Sequence, residues 1–292
     1  MPLARALARD RPALVRRVLT GLLLANLTVV GTKFLVGIVS GSLAVLSGAL
    51  DSAVDVVNNV LAMILVRVAS KEPDEEHPYG HGKFETLGTL AIVGFLSVSC
   101  FELMRGAVNH LLSGARPSAV SDLQLAVLVL SLGVSVLVAW YEHRRGSELG
   151  SSLLVADAAH TRADAIVTVG VLVGVLLARL GWWWADPAVA LVVAAVILRV
   201  AYQVFSRAVP VLVDARALPP AAIQEAAEAV TGVKSAYGIR SRGVAPVRYA
   251  EVTIAVDHGA NVSAAHAIAD EVEERLKREL HLNEVTVHVE PC

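Results

Sequence analysis

Apolar residues run in long, nearly unbroken stretches over the first two thirds of the chain, a pattern that predicts membrane-spanning helices. A helix needs about 20 mostly apolar residues to cross the hydrocarbon core of a bilayer. Six stretches reach that length, separated by segments that contain glycine or proline: 14–39, 42–68, 87–112, 120–142, 149–180 and 184–207. The pattern predicts an all-α bundle of six membrane-spanning helices, with both termini on one side of the membrane.

The pattern changes near residue 213, after which the apolar stretches become short and amphipathic. Helical spacing predicts helices near 221–230 and 263–280, and alternation predicts strands near 234–242, 248–256 and 284–290. We therefore expect a transmembrane domain over 1–212 and a cytoplasmic α+β domain over 213–292. A core built from so few residues is modest, and pairing with a second copy would enlarge it. A homodimer is expected.

Composition agrees with a membrane protein and excludes several other classes. Of the 292 residues, 55% are hydrophobic and only 18% are charged. The net charge of -2, without a basic stripe, argues against nucleic-acid binding. The sequence has no phosphate-binding glycine loop and no His-Glu-x-x-His motif, so neither ATP hydrolysis nor a zinc-dependent hydrolase is predicted. An enzyme is not expected.

Basic residues are concentrated on the side of the membrane that holds the N-terminus. Short cytoplasmic loops carry an excess of lysine and arginine, so this asymmetry predicts that both termini are cytoplasmic. The residues on that side are Arg5, Arg9, Arg11, Arg16, Arg17, Arg67, Lys71, Lys83, Arg144, Arg145 and Arg207.

Ionisable residues interrupt two of the apolar spans. Asp51 and Asp55 lie four residues apart in the second span, and His160 and Asp164 have the same spacing in the fifth. This spacing places each pair on one face of a helix, and both pairs fall at a similar depth in the bilayer. The two spans run in opposite directions. Packed together, they would supply three carboxylates and one imidazole, a set suited to tetrahedral coordination of a small divalent cation.

Structural explanations exist for such residues. Polar side chains in spans also form hydrogen bonds between helices, a role open to Asn26, Asn58, Asn59, Glu102 and Asn109. Asp157 and Arg162 flank the second pair and are expected to form an internal salt bridge or to face a water-filled vestibule, with direct binding of the ion as the alternative. Two matched ionisable pairs are nevertheless costly in lipid, and they favour a functional site.

A second group of potential ligands lies between the second and third spans. Asp74, His77 and His81 have spacings compatible with zinc, although a solvated polar turn explains the composition equally well. In the C-terminal domain, His288 and Glu290 project from one face of a predicted strand, and His266 lies on the preceding helix. These three residues are expected to form a weak metal site, and exposed histidines without metal are the alternative.

Five segments resemble the cation diffusion facilitators, bacterial metal-proton antiporters with six spans and a cytoplasmic metallochaperone-like, or ferredoxin-like, domain. The similarity covers nearly the whole chain. Its segments are SGSLAVLSGALDSAVD, HPYGHGKFE, ADAAHTRAD, AHAIADEVE and VHVEPC.

The resemblance implies specific roles for several residues. The family's transport site maps onto Asp51, Asp55, His160 and Asp164, and its Asp-Asp-His-Asp version is associated with zinc, sometimes with cadmium or ferrous iron. The resemblance also implies a second zinc site at the loop cluster named above, a salt bridge between Lys83 and Asp214, and a location in the inner membrane. In the family that the chain resembles, members with a binuclear cytoplasmic zinc site carry histidines at the positions of Tyr237 and Thr253. A reduced cytoplasmic site is therefore expected.

These observations together predict an efflux transporter that exchanges zinc(II) for protons across the membrane. An empty cluster of buried carboxylates resists its own negative charge and takes up protons, which compete with the metal. Zinc serves as the transported ion and as a possible structural ion, and no organic cofactor is expected. Efflux of iron(II), cadmium or manganese by the same mechanism, or a membrane-bound metal sensor or scaffold that does not transport, are the alternatives.

Overall fold

The computed structural model describes residues 2–40, 43–113, 122–182, 184–244 and 247–292 of the chain. It divides into two compact units, Met1–Ala208 and Val209–Cys292. Each unit has a hydrophobic core of its own.

Long helices occupy all six predicted spans of the first unit. Their bounds are α1 (Pro2–Ser40), α2 (Leu43–Ala69), α3 (Lys83–Ser113), α4 (Asp122–Leu149), α5 (Ser152–Arg179) and α6 (Ala185–Leu212). Many of their residues are β-branched, but a helix satisfies every backbone group within its own segment, as a lipid environment requires. Five stretches of the described residues are long and apolar enough to cross a membrane: Arg11–Thr32, Ser52–Ala69, Lys83–Ser113, Ser152–Leu177 and Ala185–Leu212. The prediction of a helical transmembrane domain is confirmed.

Helix packing in this unit brings α5 into the interior. The helix α1 packs on α2, α4 packs on α5, and α3 contacts both α2 and α5. Leu96 of α3, Leu153 and Leu154 of α5 and Ile197 of α6 are almost completely buried in the shared core. The polar residues of α2 and α5 are therefore held by a surrounding set of aliphatic contacts.

Arg11 joins three elements at one end of the bundle. Its guanidinium donates to the backbone oxygens of Leu149 and Gly150, at 2.6 and 2.8 Å, and pairs with the carboxylate of Glu85 at 3.1 Å. The hydroxyl of Ser151 also contacts Glu85, at 2.5 Å. These bonds connect α1, the start of α3 and the turn between α4 and α5, and so fix where α5 begins.

The second unit is an α+β fold in the predicted order. It comprises α7 (Pro220–Glu228), β1 (Val233–Val244), β2 (Val247–Val256), α8 (Val262–Glu279) and β3 (Glu284–Pro291). Pro220 begins α7, where its missing N–H would have no helical partner, and the side chain of Asn261 caps α8 by accepting from Ala264 N–H at 2.8 Å.

The three strands form a mixed sheet in the order β1-β2-β3. Strands β1 and β2 are antiparallel, whereas β3 runs parallel to β2 after the crossover through α8. The buried face of α8 carries Ala269, Val272 and Leu276, as its apolar spacing predicted, and this face packs on the sheet. The predicted α+β class of the C-terminal domain is confirmed.

Candidate functional site

The cluster predicted within the membrane domain is built from α2 and α5. Asp55 lies on α2, and His160 and Asp164 lie one turn apart on α5. Each of the three offers one potential ligand atom, and these atoms lie within 4.8 Å of one another. The structure therefore brings three of the four predicted ligands together. The fourth, Asp51, has its side chain outside the described residues.

The distances around His160 are slightly longer than those between ligands of one metal ion. Its Nε2 lies 3.7 Å from Asp55 Oδ1 and 3.8 Å from Asp164 Oδ2. Both distances exceed those of ordinary hydrogen bonds. Ligands about 2.1 Å from a tetrahedral zinc ion lie about 3.4 Å apart. A small inward movement would thus let all three atoms contact one cation.

Exposure differs between the two sides of the cluster. The side chain of His160 is 9% exposed, whereas those of Asp55 and Asp164 are 39% and 46% exposed. The imidazole is therefore held rigidly by its surroundings, and the carboxylates line an accessible side. A cation can reach the cluster without displacing the core.

Asn58, which follows Asp55 by one turn of α2, also contacts the cluster. Its Nδ2 lies 3.4 Å from His160 Nε2, and the residue is 6% exposed. Its Oδ1 has no hydrogen-bond partner among the described residues, and neither has His160 Nδ1. The sequence had suggested only helix-to-helix bonding for Asn58, because its distance from His160 depends on how α2 and α5 pack.

Glu142 on α4 is a buried acidic residue that the sequence reasoning missed. It is 2% exposed and accepts a hydrogen bond from Thr161 Oγ1 at 3.1 Å. Asp157 on α5 is 5% exposed, and its Oδ2 has no partner in the described part of the chain. Among the described residues no ion pair joins Asp157 to Arg162, and the other expectation for these residues, a water-filled vestibule, stays a prediction. The signal for Glu142 was a carboxylate at the end of an apolar span, beside aromatic and basic residues typical of a membrane interface.

The second predicted cluster lies in the connection between α2 and α3. His77 Nδ1 is 3.2 Å from Asp74 Oδ1, and His81 Nε2 is 3.3 Å from Asp74 Oδ2. The backbone N–H of His77 donates to Asp74 at 2.7 Å and lowers the pKa of that carboxyl group. His81 is 4% exposed and its Nδ1 lacks a partner among the described residues. A compact turn thus gathers one carboxylate and two imidazoles.

The candidate residues of the cytoplasmic domain are arranged differently. His288 Nε2 lies 3.5 Å from Glu290 Oε1, whereas His266 lies 3.8 Å from Asp270, its neighbour on α8. His266 does not join the other two in a cluster of ligand atoms within 4.8 Å, as far as the described residues show. The weak site predicted from these residues stays a prediction.

Strand register explains why Tyr237 and Thr253 matter for that prediction. Tyr237 pairs with Thr253 across β1 and β2, and Thr253 pairs with His288 across β2 and β3. The three residues therefore form a row across the sheet. The Tyr237 hydroxyl donates a hydrogen bond to the carboxylate of Glu290, two residues after His288 on β3. This bond raises the pKa of Tyr237, which keeps the phenol protonated and unsuited to binding zinc.

The predicted salt bridge joins residues of different units. Lys83 begins α3 in the first unit, and Asp214 lies in the second unit, where its Oδ2 is 3.8 Å from Arg242 Nη1. The pairing of Lys83 with Asp214 stays a prediction.

Comparisons with known proteins agree with this fold. The family model "Cation efflux transmembrane domain" matches residues 19–213, and "Cation efflux protein, cytoplasmic domain" matches residues 219–292. The cation-efflux pump FieF of Salmonella agona is 30% identical over 258 residues, which cover 87% of this chain and 85% of that protein.

Two further proteins are similar to this chain, but each alignment leaves out a large part of one of the two proteins compared. Metal tolerance protein C1 of Arabidopsis thaliana is 34% identical over 283 residues, covering 89% of this chain, and the chain spans only 59% of that relative's length. A solved structure of a MamM CTD variant is 31% identical and covers 24% of this chain and 89% of its own, with a TM-score of 0.23.

A helical membrane domain with a carboxylate–imidazole cluster, followed by a small α+β domain, defines the class of membrane cation transporters. This chain belongs to the cation diffusion facilitator family, whose members are cation efflux proteins. The family consists of transporters, and the relatives support efflux of divalent metal cations.

Proposed function

We propose that the protein exports zinc(II) from the cytoplasm in exchange for protons, driven by the proton gradient. The observation that carries this proposal is the convergence of Asp55, His160 and Asp164, with 3.7 and 3.8 Å between the imidazole nitrogen and the two carboxylates. Asp51 lies one turn before Asp55 on α2 and would complete a four-ligand set.

Charge supports the exchange of metal for protons. With Asp51 included, three carboxylates and a neutral imidazole around a divalent cation leave a net charge of about -1. The empty cluster would hold about three negative charges in a low-dielectric bundle, which is strongly unfavourable. The empty site therefore binds protons, and a metal ion must displace them.

Competition between metal and protons couples the two flows. Cytoplasmic metal displaces protons when the site opens inward, and protons arriving from outside weaken coordination when the site opens outward. The proton gradient then returns an empty, protonated site to the cytoplasmic side. Export proceeds without nucleotide hydrolysis.

The remaining features of the proposal concern the assembly. The transmembrane domain spans residues 1–212, and the cytoplasmic domain spans residues 213–292 and holds two copies together as a homodimer. Both termini are cytoplasmic, and the protein resides in the inner membrane. A second zinc ion binds Asp74, His77 and His81, and the salt bridge from Lys83 to Asp214 ties the two domains.

The proposal is tested with purified protein in vesicles that carry a pH gradient. In Asp55→Ala, zinc uptake and zinc-dependent proton movement should fall by more than about tenfold, since losing even a supporting residue of a metal site costs 10–100-fold. The control is Glu102→Ala, which removes an exposed carboxylate of α3 and should transport normally. Size-exclusion chromatography checks that both variants remain assembled.

The same assay separates the alternatives. Zinc flux in the Asp55→Ala variant equal to that of the parent protein would refute the site. Flux of iron(II), cadmium or manganese in preference to zinc would retain the mechanism and change the substrate. Metal binding without any flux in the parent protein would identify a sensor or scaffold.

A further inference from the structure

The amide of Asn58 lies where a ligand of the transported cation would lie. Its Nδ2 is 3.4 Å from His160 Nε2, closer than either Asp55 or Asp164 comes to that nitrogen. The nitrogen that contacts Asn58 is also the one that faces both carboxylates, so the amide lies at the cluster itself. Since Asn58 follows Asp55 by three residues on α2, the two side chains share one face of the helix.

The amide oxygen of Asn58 is buried without a hydrogen-bond partner among the described residues. Leaving such an acceptor unpaired costs about 1–3 kcal/mol. A cavity of about 10 Å³ adjoins the residue, but its other lining residues are apolar or glycine. A buried water needs two to four polar partners, so water in that cavity does not account for the oxygen.

Rotation of the amide would bring this oxygen to the cluster, and the NH2 group would then take the position that the oxygen occupies now. A half-turn about the terminal torsion exchanges Nδ2 for Oδ1 at nearly the same position, about as far from His160 Nε2 as two ligands of a tetrahedral ion are from each other, roughly 3.4 Å. The oxygen would then face the cation together with Asp55 and Asp164. In the arrangement that the structure shows, the N–H group of Asn58 donates to the imidazole.

We propose that Asn58 is a further ligand of the transported cation, supplying an amide oxygen beside the carboxylates and the imidazole. The inference rests on the proposed function, because it concerns the same site. A fifth donor, made of oxygen, favours ions that accept more than four ligands, such as Mn²⁺, relative to Zn²⁺. Asn58 thereby widens the range of divalent cations that the site accepts.

The chain offers a closely matched control on the next residue. Asn59 is 3% exposed, and its Oδ1 also lacks a partner among the described residues. It lies about 100° around α2 from Asn58, and the described contacts of His160 Nε2 are with Asp55, Asn58 and Asp164. An unpaired buried oxygen is thus common to both residues, and of the two only Asn58 contacts His160 among the side chains that the structure describes.

The test uses the full-length protein in detergent with Co²⁺ alone, followed by competition with Zn²⁺ and Mn²⁺. Tetrahedral Co²⁺ absorbs visible light several-fold more strongly than Co²⁺ with five or six ligands. The spectrum of Asp55→Ala is subtracted to remove the signal of other metal sites. The compared variants are Asn58→Leu, which keeps the side-chain shape, Asn58→Asp, which keeps an oxygen, and Asn59→Leu.

We expect a several-fold stronger Co²⁺ band in Asn58→Leu, and a loss of Mn²⁺ affinity about tenfold greater than its loss of Zn²⁺ affinity. Asn58→Asp should keep the weak band, and Asn59→Leu should match the parent protein in both measurements. The spectrum itself shows that each variant retains a formed site.

Two results would overturn the role of Asn58. One is an Asn58→Leu variant with the parent spectrum and the parent ratio of Mn²⁺ to Zn²⁺ affinity. The other is an Asn58→Asp or Asn59→Leu variant that behaves like Asn58→Leu. A different result tests the proposed function: if Asp55→Ala keeps the full Co²⁺ signal and normal flux, the transport site itself is misassigned.

Discussion

The ring of His160 lies where three polar side chains meet. Asp55, Asn58 and Asp164 all approach its Nε2, while its Nδ1 is buried without a partner among the described residues. An unpaired buried nitrogen costs about 1–3 kcal/mol, which the surrounding core offsets. The position of His160 favours contact with the carboxylates and lowers the stability of the folded protein. Groups that reduce stability in this way are common at functional sites.

Glu228, at the end of α7, gives a prediction for pH dependence in the cytoplasmic domain. Its carboxylate accepts from Gln224 Nε2 at 2.8 Å and from Ala236 N–H at 3.0 Å, and these bonds, chiefly the first, lower its pKa. A lowered pKa in the folded state adds stability above the unfolded value of about 4.3, and that stability is lost as pH falls through the folded value.

Replacing Glu228 with Gln should therefore make hydrogen exchange in β1 faster than in the parent at pH 6. The difference between variant and parent should become progressively smaller towards pH 3. Hydrogen exchange of β1 peptides in the full-length protein measures this, comparing the variant with the parent at each pH. Glu225→Gln, an exposed change on the same helix, should have no effect. A difference between the Glu228 variant and the parent that grows as pH falls would contradict the argument.

Among the elements, α4 and α5 approach each other closely near the turn that connects them. A Cβ added at Gly146 would lie 2.9 Å from the backbone nitrogen of Val155 and 3.0 Å from Leu154 Cβ. Backbone atoms cannot move aside as a flexible side chain can. The absence of a side chain at Gly146 thus allows α5 to pack at this distance.

Gly146→Ala should destabilise the membrane domain by about 1–3 kcal/mol, since overpacking forces the two helices apart. Because α5 carries His160 and Asp164, metal affinity should fall as well. Thermal unfolding in detergent and zinc titration measure the two effects. The control is Gly133→Ala on α4, where an added Cβ has nothing within 4 Å, and this variant should be as stable as the parent or more so. Equal stability of both variants would show that the close approach is unimportant.

At the scale of the whole molecule, the chain comprises two units with separate cores. The core of the second unit contains Ile223, Val252, Ile254, Val272 and Leu276, all nearly completely buried. Its sheet and both helices lie within residues 209–292, so its hydrogen bonds between strands are complete within the unit. A unit with its own core and its own sheet is expected to fold independently.

Residues 209–292 expressed alone should give a soluble protein with one cooperative thermal transition, followed by circular dichroism. Ile254→Ala should lower its stability by about 2–5 kcal/mol, because Ile254 is 0% exposed at the centre of the core. An isolated domain that melts gradually, without a transition, would show that this unit depends on the rest of the chain.

Much of the architecture was predictable because it follows from local patterns. Runs of apolar residues long enough to cross a bilayer predicted the helices of the first unit, and the change to periods of 3.6 and 2 predicted the order of elements in the second. Spacing of four residues placed His160 and Asp164 on one face of α5 before any packing was known. These features depend on neighbours in sequence alone.

The side chains that packing brings together were less predictable. The basic residues of the N-terminus predicted orientation, yet Arg11 also bonds Glu85 and the turn between α4 and α5. The contact between Asn58 and His160 and the burial of Glu142 likewise depend on which helices are neighbours. No local pattern carries that information.

The sequence by itself determined which residues lie in helices, where the chain changes from one domain to the next, and which ionisable groups interrupt the apolar spans, because each of these depends on the chemistry of short segments. Tertiary structure decided that Asp55 meets His160 and that Asn58 joins them, because α2 and α5 are separated by about a hundred residues of chain and only packing fixes their distance. The metal chemistry proposed for this protein depends on that distance.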